Sequence, residues 1–402
     1  MGHRPGRGIG AGRKPPSGIA LPVFLLSLVP ILAIAWASGS LDFGVWWLTN
    51  ATSPAVTASS PPAVVRGAVQ IDVQLAPSGR ARIVDAEVDG RPLGLGEPIV
   101  VDTASLPDGP HQAVVVAEDI SWRRNRTSSS VSFNSDNTPP QLTFESASDR
   151  VIQGHTWLLR IRPDEPAAIQ AWLGGKRLEV QAGDGFGWAV VGFPPDDQPA
   201  VVPLVVSGTD QVGNQTDQQL SIQVAPGEFP LDRVEVPTTL LPLLASAVRD
   251  EEDRHLAPTY SKVTQPRLWE GRFLMPVQGP VITEFATLRS YNGGPVAGHH
   301  AGVDLAGPAG RPVVAPNRGR VVLIDETRLR GNLVVLDHGL GVFTTYAHLS
   351  AVEVEVGQLV ERGQPLARVG STGLSTGPHL HWELWIGGAN VNPLEWTERS
   401  FP

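Results

Sequence analysis

Histidines are concentrated in one part of this chain. Six of the ten histidines fall within about a fifth of the sequence, namely His299, His300, His338, His348, His379 and His381. Imidazole groups bind metal ions and transfer protons near neutral pH. The cluster therefore predicts a metal site, an acid–base site, or both together.

Two of these histidines, His379 and His381, stand two residues apart in a segment where apolar and polar residues alternate. The alternation predicts a β-strand, and side chains two apart on a strand point to the same face. The two imidazoles can share one metal ion, or one can bind the metal while the other meets a substrate. A pair of this kind on its own is more often solvated or structural.

A second pattern places His300 four residues before Asp304, which puts both side chains on one face of a strand. Gly302, Gly307 and Pro308 disfavour a helix here. With one of the later histidines, the two residues would give a site of two nitrogens and one oxygen with a fourth position open, as in catalytic zinc sites. The chain has no cysteine, so thiolate ligands and cysteine nucleophiles are excluded, and zinc or a related divalent ion fits best.

A third pattern is Tyr-Ala-His-Leu at residues 346–349. In their order and spacing, the three patterns resemble the H-x-x-x-D, Y-x-H-L and H-x-H motifs of the lysostaphin/LytM-type zinc endopeptidases, which hydrolyse bacterial peptidoglycan. The similarity covers most of residues 273–396 and extends to the segments 310–315 and 370–373.

This resemblance implies a compact antiparallel β domain with one zinc ion in an open groove. It implies that His300, Asp304 and His381 bind the zinc and that His348 and His379 are the catalytic histidines, with no other cofactor. Zinc would lower the pKa of its bound water towards about 7. The catalytic histidines would take up the proton of that water, donate to the leaving amine, or hydrogen-bond the tetrahedral oxyanion.

Two nearby positions bear on the fit to this family. Phe285-Ala286 stands where the family usually has Phe-Gly, which concerns the loop entering the groove rather than the chemistry. Tyr291 is a candidate for the family tyrosine that steadies the oxyanion.

Other residues of the region have plainer interpretations. His299 is expected to be a neighbour of the site rather than a ligand, and His338 a structural turn residue. Glu383 shares the face of His381 and is either a partner of the site or a surface charge. Trp382 and Trp385 are expected in the core.

Other functions compete with peptidoglycan cleavage. A catalytically silent relative, which binds the wall or activates a separate amidase, typically lacks one of the five site residues, and all five are present here. No G-x-S-x-G motif of a serine hydrolase lies near the histidines. A net charge of −9 argues against nucleic acid as a partner. The expected partner is peptidoglycan, cut at a glycine bridge or at a D-amino-acid cross-link.

The remaining composition predicts a mainly β fold. The chain contains 43 Gly and 37 Pro, which punctuate short strands. Asp89-Gly90 predicts a hairpin turn, and Gly174-Gly175 is its counterpart in an internal repeat.

The repeat is also visible where a strand ends in Asp and is followed by Asn-x-Thr. This happens at Asp119 and Asn125, and again about ninety residues later at Asp210 and Asn214. The two copies resemble tandem bacterial immunoglobulin-like β-sandwiches, at residues 64–137 and 138–225. No binding motif is evident in them, so they are expected to be spacers.

The N-terminus predicts contact with the cytoplasmic membrane. A basic segment at residues 1–18, expected in the cytoplasm, precedes an apolar segment at residues 19–38. The apolar segment is either an uncleaved transmembrane helix or a signal peptide with a cleavage site at Ala35-Trp36-Ala37. The expected location is the cell membrane, single-pass with an extracytoplasmic catalytic domain, or secretion after cleavage.

The other segments complete the predicted domain order. Residues 39–63 are a linker, and its part from residue 49 onward is rich in Ser, Thr, Pro and Ala. Residues 226–272 are a second linker with a short helical spacer, a single helix over residues 238–254. Residues 273–402 form the peptidase domain.

Overall fold

The computed structural model describes residues 33–145 and 148–402. The chain divides into two compact units, Met1–Thr138 and Pro139–Pro402, and both are built mainly of β-strands, as predicted. The predicted basic segment 1–18 and residues 19–32 of the predicted membrane segment lie outside the described residues. In the described part of the chain, no helix has the length and apolar character needed to cross a membrane.

From residue 39 onward, the first unit has an α-helix, a 3-10 turn at Thr103–Ser105 and nine strands. These are α1 (Ser40–Thr49), β1 (Ala55–Ala58), β2 (Val64–Val65), β3 (Ala68–Ile71), β4 (Val73–Ala76), β5 (Ala81–Val88), β6 (Arg91–Pro92), β7 (Ile99–Asp102), β8 (Gly109–Asp119) and β9 (Arg126–Ser135). A five-stranded sheet has the order β2-β9-β8-β5-β6, and β3-β7 and β1-β4 form two pairs. Ile71 and Ile99 of one layer share a core with Val115 and Phe133 of the other, which makes a two-layer β structure.

The predicted linker at residues 39–63 is wrong in part. Its first half contains α1, and Ala55–Ala58 forms β1, which pairs with Val73–Ala76. Val56 and Thr57 are β-branched and suit a strand, and β1 covers backbone groups of β4 that would otherwise form an open edge.

In its described residues, the second unit begins with nine strands in two sheets. These are β10 (Leu142–Phe144), β11 (Arg150–Ile152), β12 (Thr156–Pro163), β13 (Ala167–Leu173), β14 (Lys176–Arg177), β15 (Gln181–Gly183), β16 (Phe186–Gly192), β17 (Ala200–Asp210) and β18 (Gln215–Ala225). The sheets have the orders β10-β12-β16-β15 and β11-β18-β17-β13-β14. Leu159 and Ile161 from one sheet pack with Leu204, Val206 and Ile222 from the other, so this region forms a β-sandwich.

The internal repeat has a structural counterpart. Both predicted hairpin turns have two consecutive residues at positive φ, 47° and 78° at Asp89-Gly90 and 57° and 81° at Gly174-Gly175. At the ends of the equivalent strands, the side-chain amide of Asn125 donates to Asp119, and that of Asn214 donates to Asp210. The immunoglobulin-like assignment of the two copies stays a prediction.

The segment after the sandwich is more than a linker. It contains β19 (Leu231–Val234), a 3-10 helix at Thr238–Leu244 and α2 (Ser246–Tyr260). A single helix over residues 238–254 is therefore wrong, and the break lies at Ala245, which is extended with φ −60° and ψ 131°. Pro242 has no N–H to donate and would clash with the preceding turn of an α-helix, which explains why the first part is not α-helical.

The C-terminal part is described throughout and has twelve further strands and a short helix. These are β20 (Val281–Thr283), β21 (Leu288–Tyr291), β22 (Val296–His299), β23 (Val303–Ala306), β24 (Pro312–Val314), β25 (Gly319–Thr327), β26 (Gly331–Asp337), β27 (Val342–Val352), β28 (Leu359–Val360), β29 (Pro365–Val369), β30 (His379–Ile386), β31 (Ala389–Val391) and α3 (Leu394–Glu398). The main sheet has the order β20-β23-β30-β27-β26-β25-β28, and β24, β29 and β31 pair alongside. The pairings at its centre are antiparallel.

The central strands of this sheet are buried on both faces. Val334 and Leu336 of β26 belong to the main core, whereas Leu333 and Val335 pack against Leu256 of α2 and its neighbours. Strands covered on both sides read as continuous apolar runs, which matches the sequence of β26. The helix α2 therefore belongs to the C-terminal domain and does not act as a spacer.

The sandwich packs directly on the C-terminal domain. Trp188 lies in the same core cluster as Trp269 and Trp396. The carboxylate of Glu395 accepts a hydrogen bond from the N–H of Thr156 at 2.8 Å. Trp269 is fully buried, so the C-terminal core includes a residue before the predicted boundary at 273.

Candidate metal centre and active site

Three neighbouring strands carry most of the predicted site residues. Strand β30 supplies His379 and His381, and the antiparallel pairing of β30 with β23 places Asp304 opposite His381. On its other side β30 pairs with β27, where Ala347 stands opposite His381 and His348 follows it. Residues distant in sequence are thus brought together by strand register.

Three side-chain atoms converge at the centre of the site. His300 Nε2 lies 2.9 Å from His381 Nδ1 and 3.0 Å from Asp304 Oδ1, and His381 Nδ1 lies 2.9 Å from Asp304 Oδ1. All three residues are buried. A zinc ion with bonds of about 2.0–2.2 Å can touch three atoms at this spacing at the same time.

The outer hydrogen bonds indicate which nitrogen of each imidazole carries a proton. His300 Nδ1 lies 3.0 Å from the carbonyl of Glu284, and His381 Nε2 lies 2.9 Å from a carboxylate oxygen of Glu383. Both partners accept hydrogen bonds, so these outer nitrogens carry N–H groups and the inner ones present lone pairs. Three acceptors facing one another across about 3 Å repel unless a cation lies between them, so the donor set fits a divalent metal.

The charges around the centre agree with this assignment. Burial, opposed by Asp304, lowers the pKa of His300 to about 4, so this imidazole is neutral at physiological pH. Burial disfavours the carboxylate of Asp304, but the two histidines outweigh this effect and hold its pKa well below the usual range. The other oxygen of Asp304 accepts a 2.7 Å hydrogen bond from Arg289.

The pKa of His381 shifts in the opposite direction to that of His300. Burial lowers it, but the negative charges of two neighbouring carboxylates, Asp304 and Glu383, more than compensate and raise it. For His300, the carboxylate of Asp304 raises the pKa, but the positive charge of Arg289 lowers it in addition to burial. His381 is therefore the more basic of the two candidate nitrogen ligands.

Glu383 is a partner of the site rather than a surface charge. It is fully buried, and its second oxygen accepts from Trp385 Nε1 at 2.7 Å. Burial disfavours its carboxylate, but the positive charge of Arg330 and the hydrogen bond from His381 lower its pKa to about 2. Glu383 is thus ionised at physiological pH and holds the ring of His381.

The two other histidines lie beside the triangle of ligand atoms. The rings of His348 and His379 are 4.8 Å apart, and His379 Nε2 is 3.6 Å from Asp304 Oδ1. Each Nδ1 lies 2.8 Å from a carbonyl, that of Thr372 for His348 and that of Gly377 for His379. In the neutral imidazole this leaves the lone pair on Nε2, which is the state required of a proton acceptor.

His348 has an unusual backbone conformation. Its φ is 60°, a left-handed value that is uncommon for residues other than glycine, and its N–H donates to the carbonyl of Arg330 at 2.8 Å. Burial lowers the pKa of its imidazole to about 3. Backbone outliers of this kind are frequent at functional sites.

The two remaining histidines of the cluster, His338 and His299, are not ligands of the candidate metal centre. His338 is fully buried and bonds the carbonyl of Arg318 and the hydroxyl of Thr344, so it is structural, as predicted. His299 Nδ1 lies 2.6 Å from Asp196, and His299 is not part of the triangle.

The two tryptophans differ in burial. Trp382 is in the main core, as predicted. Trp385 is partly buried and stacks on Tyr260 of α2 with ring centres 4.2 Å apart, so its assignment to the core is wrong in part. The side of Trp385 that remains accessible lines the groove at the site.

Two further positions lie near the site. Ala286, at the departure from the family pattern, adopts φ 60° and its N–H donates to the carbonyl of His300. A left-handed conformation explains why glycine would suit this position. Tyr291 lines the same groove as the histidines. The groove walls come from the sandwich, α2 and the sheet, with contributions from Asp196, Arg249, His299 and Asn390.

Three charged residues were missed by sequence reasoning. Arg289 bonds Asp304, and Arg330 and Glu252 join Glu383 in a buried network. Arg330 and Glu252 lie outside the three motifs, and nothing in their local sequence links them to the histidines.

The fold and the site together define a β domain with a candidate three-ligand metal centre beside two histidines. Residues 298–393 match the model of peptidase family M23, so the chain contains a peptidase M23 domain. All five predicted site residues fall within the matched segment.

Named proteins are similar to this part of the chain. The chain is 45% identical over 96 residues to the peptidoglycan DD-endopeptidase ShyA of Vibrio cholerae, over 24% of this chain and 22% of that protein. It is 46% identical over 95 residues to the DD-carboxypeptidase/endopeptidase Mpg of Neisseria meningitidis, again over 24% of this chain and 22% of that protein. The chain thus spans about a fifth of the length of each of these relatives.

Among solved structures, the catalytic domain of the antimicrobial peptidase lysostaphin from Staphylococcus simulans is 29% identical. The match covers 32% of this chain and 92% of that domain, with a TM-score of 0.25.

Proposed function

We propose that this protein is a zinc-dependent endopeptidase that hydrolyses cross-links or stem peptides of bacterial peptidoglycan. The observation that carries the proposal is the triangle of inward lone pairs on His300, Asp304 and His381, with two more histidines beside it. The M23 domain and the names of the two relatives, both of which include an endopeptidase activity, support the substrate class.

Each ligand residue has a defined part in this proposal. His300 and His381 would each provide one nitrogen, and Asp304 would provide one oxygen while Arg289 holds the other. When bound, zinc acts as a Lewis acid that polarises the scissile carbonyl and makes hydroxide available near neutral pH.

The two remaining histidines would handle protons. In their neutral forms His348 and His379 present the lone pair at Nε2, and carbonyls hold their Nδ1–H groups in place. A neutral imidazole can accept the proton of the attacking water and pass it to the leaving amine. The resulting imidazolium can also donate to the tetrahedral oxyanion.

We also propose that the catalytic domain works outside the cytoplasmic membrane, attached to it or secreted. Basic residues 1–18 followed by an apolar stretch are typical of an exported or anchored protein. Cell fractionation with an antibody to the C-terminal domain tests this, and a protein found only in the cytosol would contradict it.

The test of function is product analysis by mass spectrometry after incubation with purified peptidoglycan. The zinc-loaded chain should release peptides, and release should stop with a chelator and in His379→Ala. The control is His255→Ala, since His255 is exposed on α2 and its surface pair with Asp325 contributes little. The peptide masses identify the bond that is cut.

A folded, zinc-loaded protein that releases no peptide from any wall type would contradict the proposal. That result would favour a silent relative that binds wall or activates an amidase.

A further inference from the structure

Helix α2 carries a buried carboxylate on its packed face. Four residues at four-residue spacing, Val248, Glu252, Leu256 and Tyr260, are buried. The other three suit an apolar contact, but Glu252 is a carboxylate and only 5% exposed. A buried carboxylate is costly unless it is paired and hydrogen-bonded, so its partners indicate why it is there.

Glu252 bonds one short segment between β25 and β26. Its Oε1 accepts from Arg330 Nη1 at 2.8 Å and from the N–H of Arg330 at 3.2 Å. Its Oε2 accepts from the N–H of Leu329 at 2.8 Å. The carboxylate thus fixes both the backbone and the guanidinium of this segment.

The guanidinium continues the network to a candidate metal ligand. Arg330 Nε donates to Glu383 Oε1 at 2.7 Å. The same oxygen accepts from His381 Nε2 at 2.9 Å. Two charge-assisted contacts therefore connect Glu252 to the partner of His381.

A second branch reaches a candidate catalytic histidine. The carbonyl of Arg330 accepts the N–H of His348 at 2.8 Å, where His348 has φ 60°. The segment held by Glu252 thus also supports the left-handed backbone of His348.

We propose that Glu252 is a positioning residue of the active site. Through the guanidinium of Arg330 it acts on Glu383 and so on His381, and through the Arg330 carbonyl it acts on His348. The inference rests on the metal site of the proposed function. Glu252 lies outside the segment that matches family M23, so the preceding helix contributes to a site whose five direct groups all lie within that segment.

The physical basis is competition for the charge of Arg330. Its guanidinium bonds two buried carboxylates, Glu252 and Glu383, and lies 3.6 Å from a third, the half-exposed Asp253, which solvent screens. When Glu252 is replaced by the neutral Gln, Arg330 neutralises Glu383 more completely. Glu383 then accepts more weakly from His381, and the opposite nitrogen of His381 becomes a less basic ligand.

The test compares Glu252→Gln with Glu251→Gln in the full chain. Glu251 precedes Glu252 on the same helix and is exposed, so it is a matched control. Zinc affinity is measured by competition with a chelating indicator, and the Co²⁺-substituted proteins are compared by visible absorption. Mutation of a residue that bonds a metal ligand directly typically lowers metal affinity by about 10–100-fold. Glu252 acts one contact further from the metal, so we expect about tenfold weaker zinc binding and a changed Co²⁺ spectrum in Glu252→Gln.

A purely structural role would lower stability and leave both metal readouts unchanged. Equal zinc affinity and equal Co²⁺ spectra in the two folded variants would therefore overturn the inference. Neither readout uses peptidoglycan, so a protein that binds zinc but cuts no wall would contradict the proposed function alone.

Hydrogen exchange in the unsubstituted chain gives a second test that does not depend on the folding of a variant. Linkage is reciprocal, so if Glu252 stabilises the metal-bound site, zinc must stabilise the contacts of Glu252. We expect zinc to slow exchange in peptides covering residues 246–260 and 327–349. Slowing confined to the second peptide, with none in the helix, would overturn the inference.

Discussion

His381 illustrates how much of the site depends on single atoms. One nitrogen bonds Glu383, and the other lies 2.9 Å from both His300 Nε2 and Asp304 Oδ1. The H-x-H pattern predicted that His379 and His381 share a strand face. The prediction that His300 lies on one strand with Asp304 is wrong, because His300 stands in the short connection between β22 and β23. The strand alternation offered Glu383 as a partner of His381, but the Glu284 carbonyl that fixes the proton of His300 is brought there only by folding and could not be predicted from the motifs.

A buried histidine away from this centre makes stability depend on pH. Burial, opposed by the carbonyl of Arg318, lowers the pKa of His338 to about 4, against about 6.5 in the unfolded chain. Between these values the unfolded state binds a proton that the folded state does not. Stability contributed by the neutral imidazole is therefore present above pH 6.5 and is lost as pH falls towards 4, by up to about 3 kcal/mol.

The measurement is urea unfolding of the metal-free protein and of His338→Gln between pH 4 and pH 7. Gln keeps a donor for Arg318 and an acceptor for Thr344 but does not titrate. The other histidines are the same in both proteins, so the difference between the two curves of unfolding free energy against pH reports on His338 alone. We expect a shallower decline at acid pH in the variant, and parallel curves would contradict this.

Among the elements, the approach of β23 to β30 matters most for the site. Gly302 lies between His300 and Asp304, and a Cβ added there would be 2.3 Å from the carbonyl oxygen of Trp382. The sequence predicted both strands, but it could not predict that they are neighbours in the sheet order. That order depends on pairing between segments about eighty residues apart, which local periodicity does not encode.

We expect Gly302→Ala to separate the two strands and to destabilise the domain by a few kcal/mol, with loss of zinc affinity. The matched control is Gly377→Ala, because a Cβ at Gly377 would meet no described atom within 4 Å. Denaturant unfolding and zinc titration of both variants check the prediction. If Gly302→Ala matched the control in zinc affinity and stability, the prediction would be contradicted. The strands could then move apart without cost to the site.

Helix α2 is the element that sequence reasoning placed least well. Residues 238–254, Leu-rich and then acidic, were predicted to form one helix that acts as a spacer, whereas α2 contains only the acidic part and begins at Ser246. Only the four-residue spacing of Val248, Glu252, Leu256 and Tyr260 indicates a packed face, and Glu252 interrupts its apolar pattern. Because the partner of Glu252 is Arg330, the reason for that interruption lies in tertiary structure.

In the whole molecule, the two repeats have different relations to their surroundings. The first repeat belongs to a compact unit of its own, which ends at Thr138. The second sandwich instead shares a core with the peptidase domain, through Trp188 and Trp269, whose rings are 6.3 Å apart. The expectation that both repeats are plain spacers therefore needs revision for the second one.

Truncation distinguishes the two repeats. A chain of residues 139–402 should keep the unfolding midpoint of the second unit, because the unit is compact by itself. A chain of residues 226–402 should unfold at least about 5 °C lower, because Trp269 becomes exposed and Trp396 loses its bond to Thr156. Calorimetry of the two fragments makes the comparison, and equal midpoints would mean that the sandwich is a spacer after all.

Titration of the metal-free chain with zinc, with peptide release from peptidoglycan as the readout, decides whether the three inward lone pairs hold one catalytic ion. We expect no release without metal, a linear rise with added zinc, and a plateau at one equivalent per chain. His381→Ala should show no rise over the same range, because it removes one of the three ligands. Full activity of the metal-free chain, or activity in His381→Ala equal to that of the unsubstituted protein, would mean that this site does not carry the reaction.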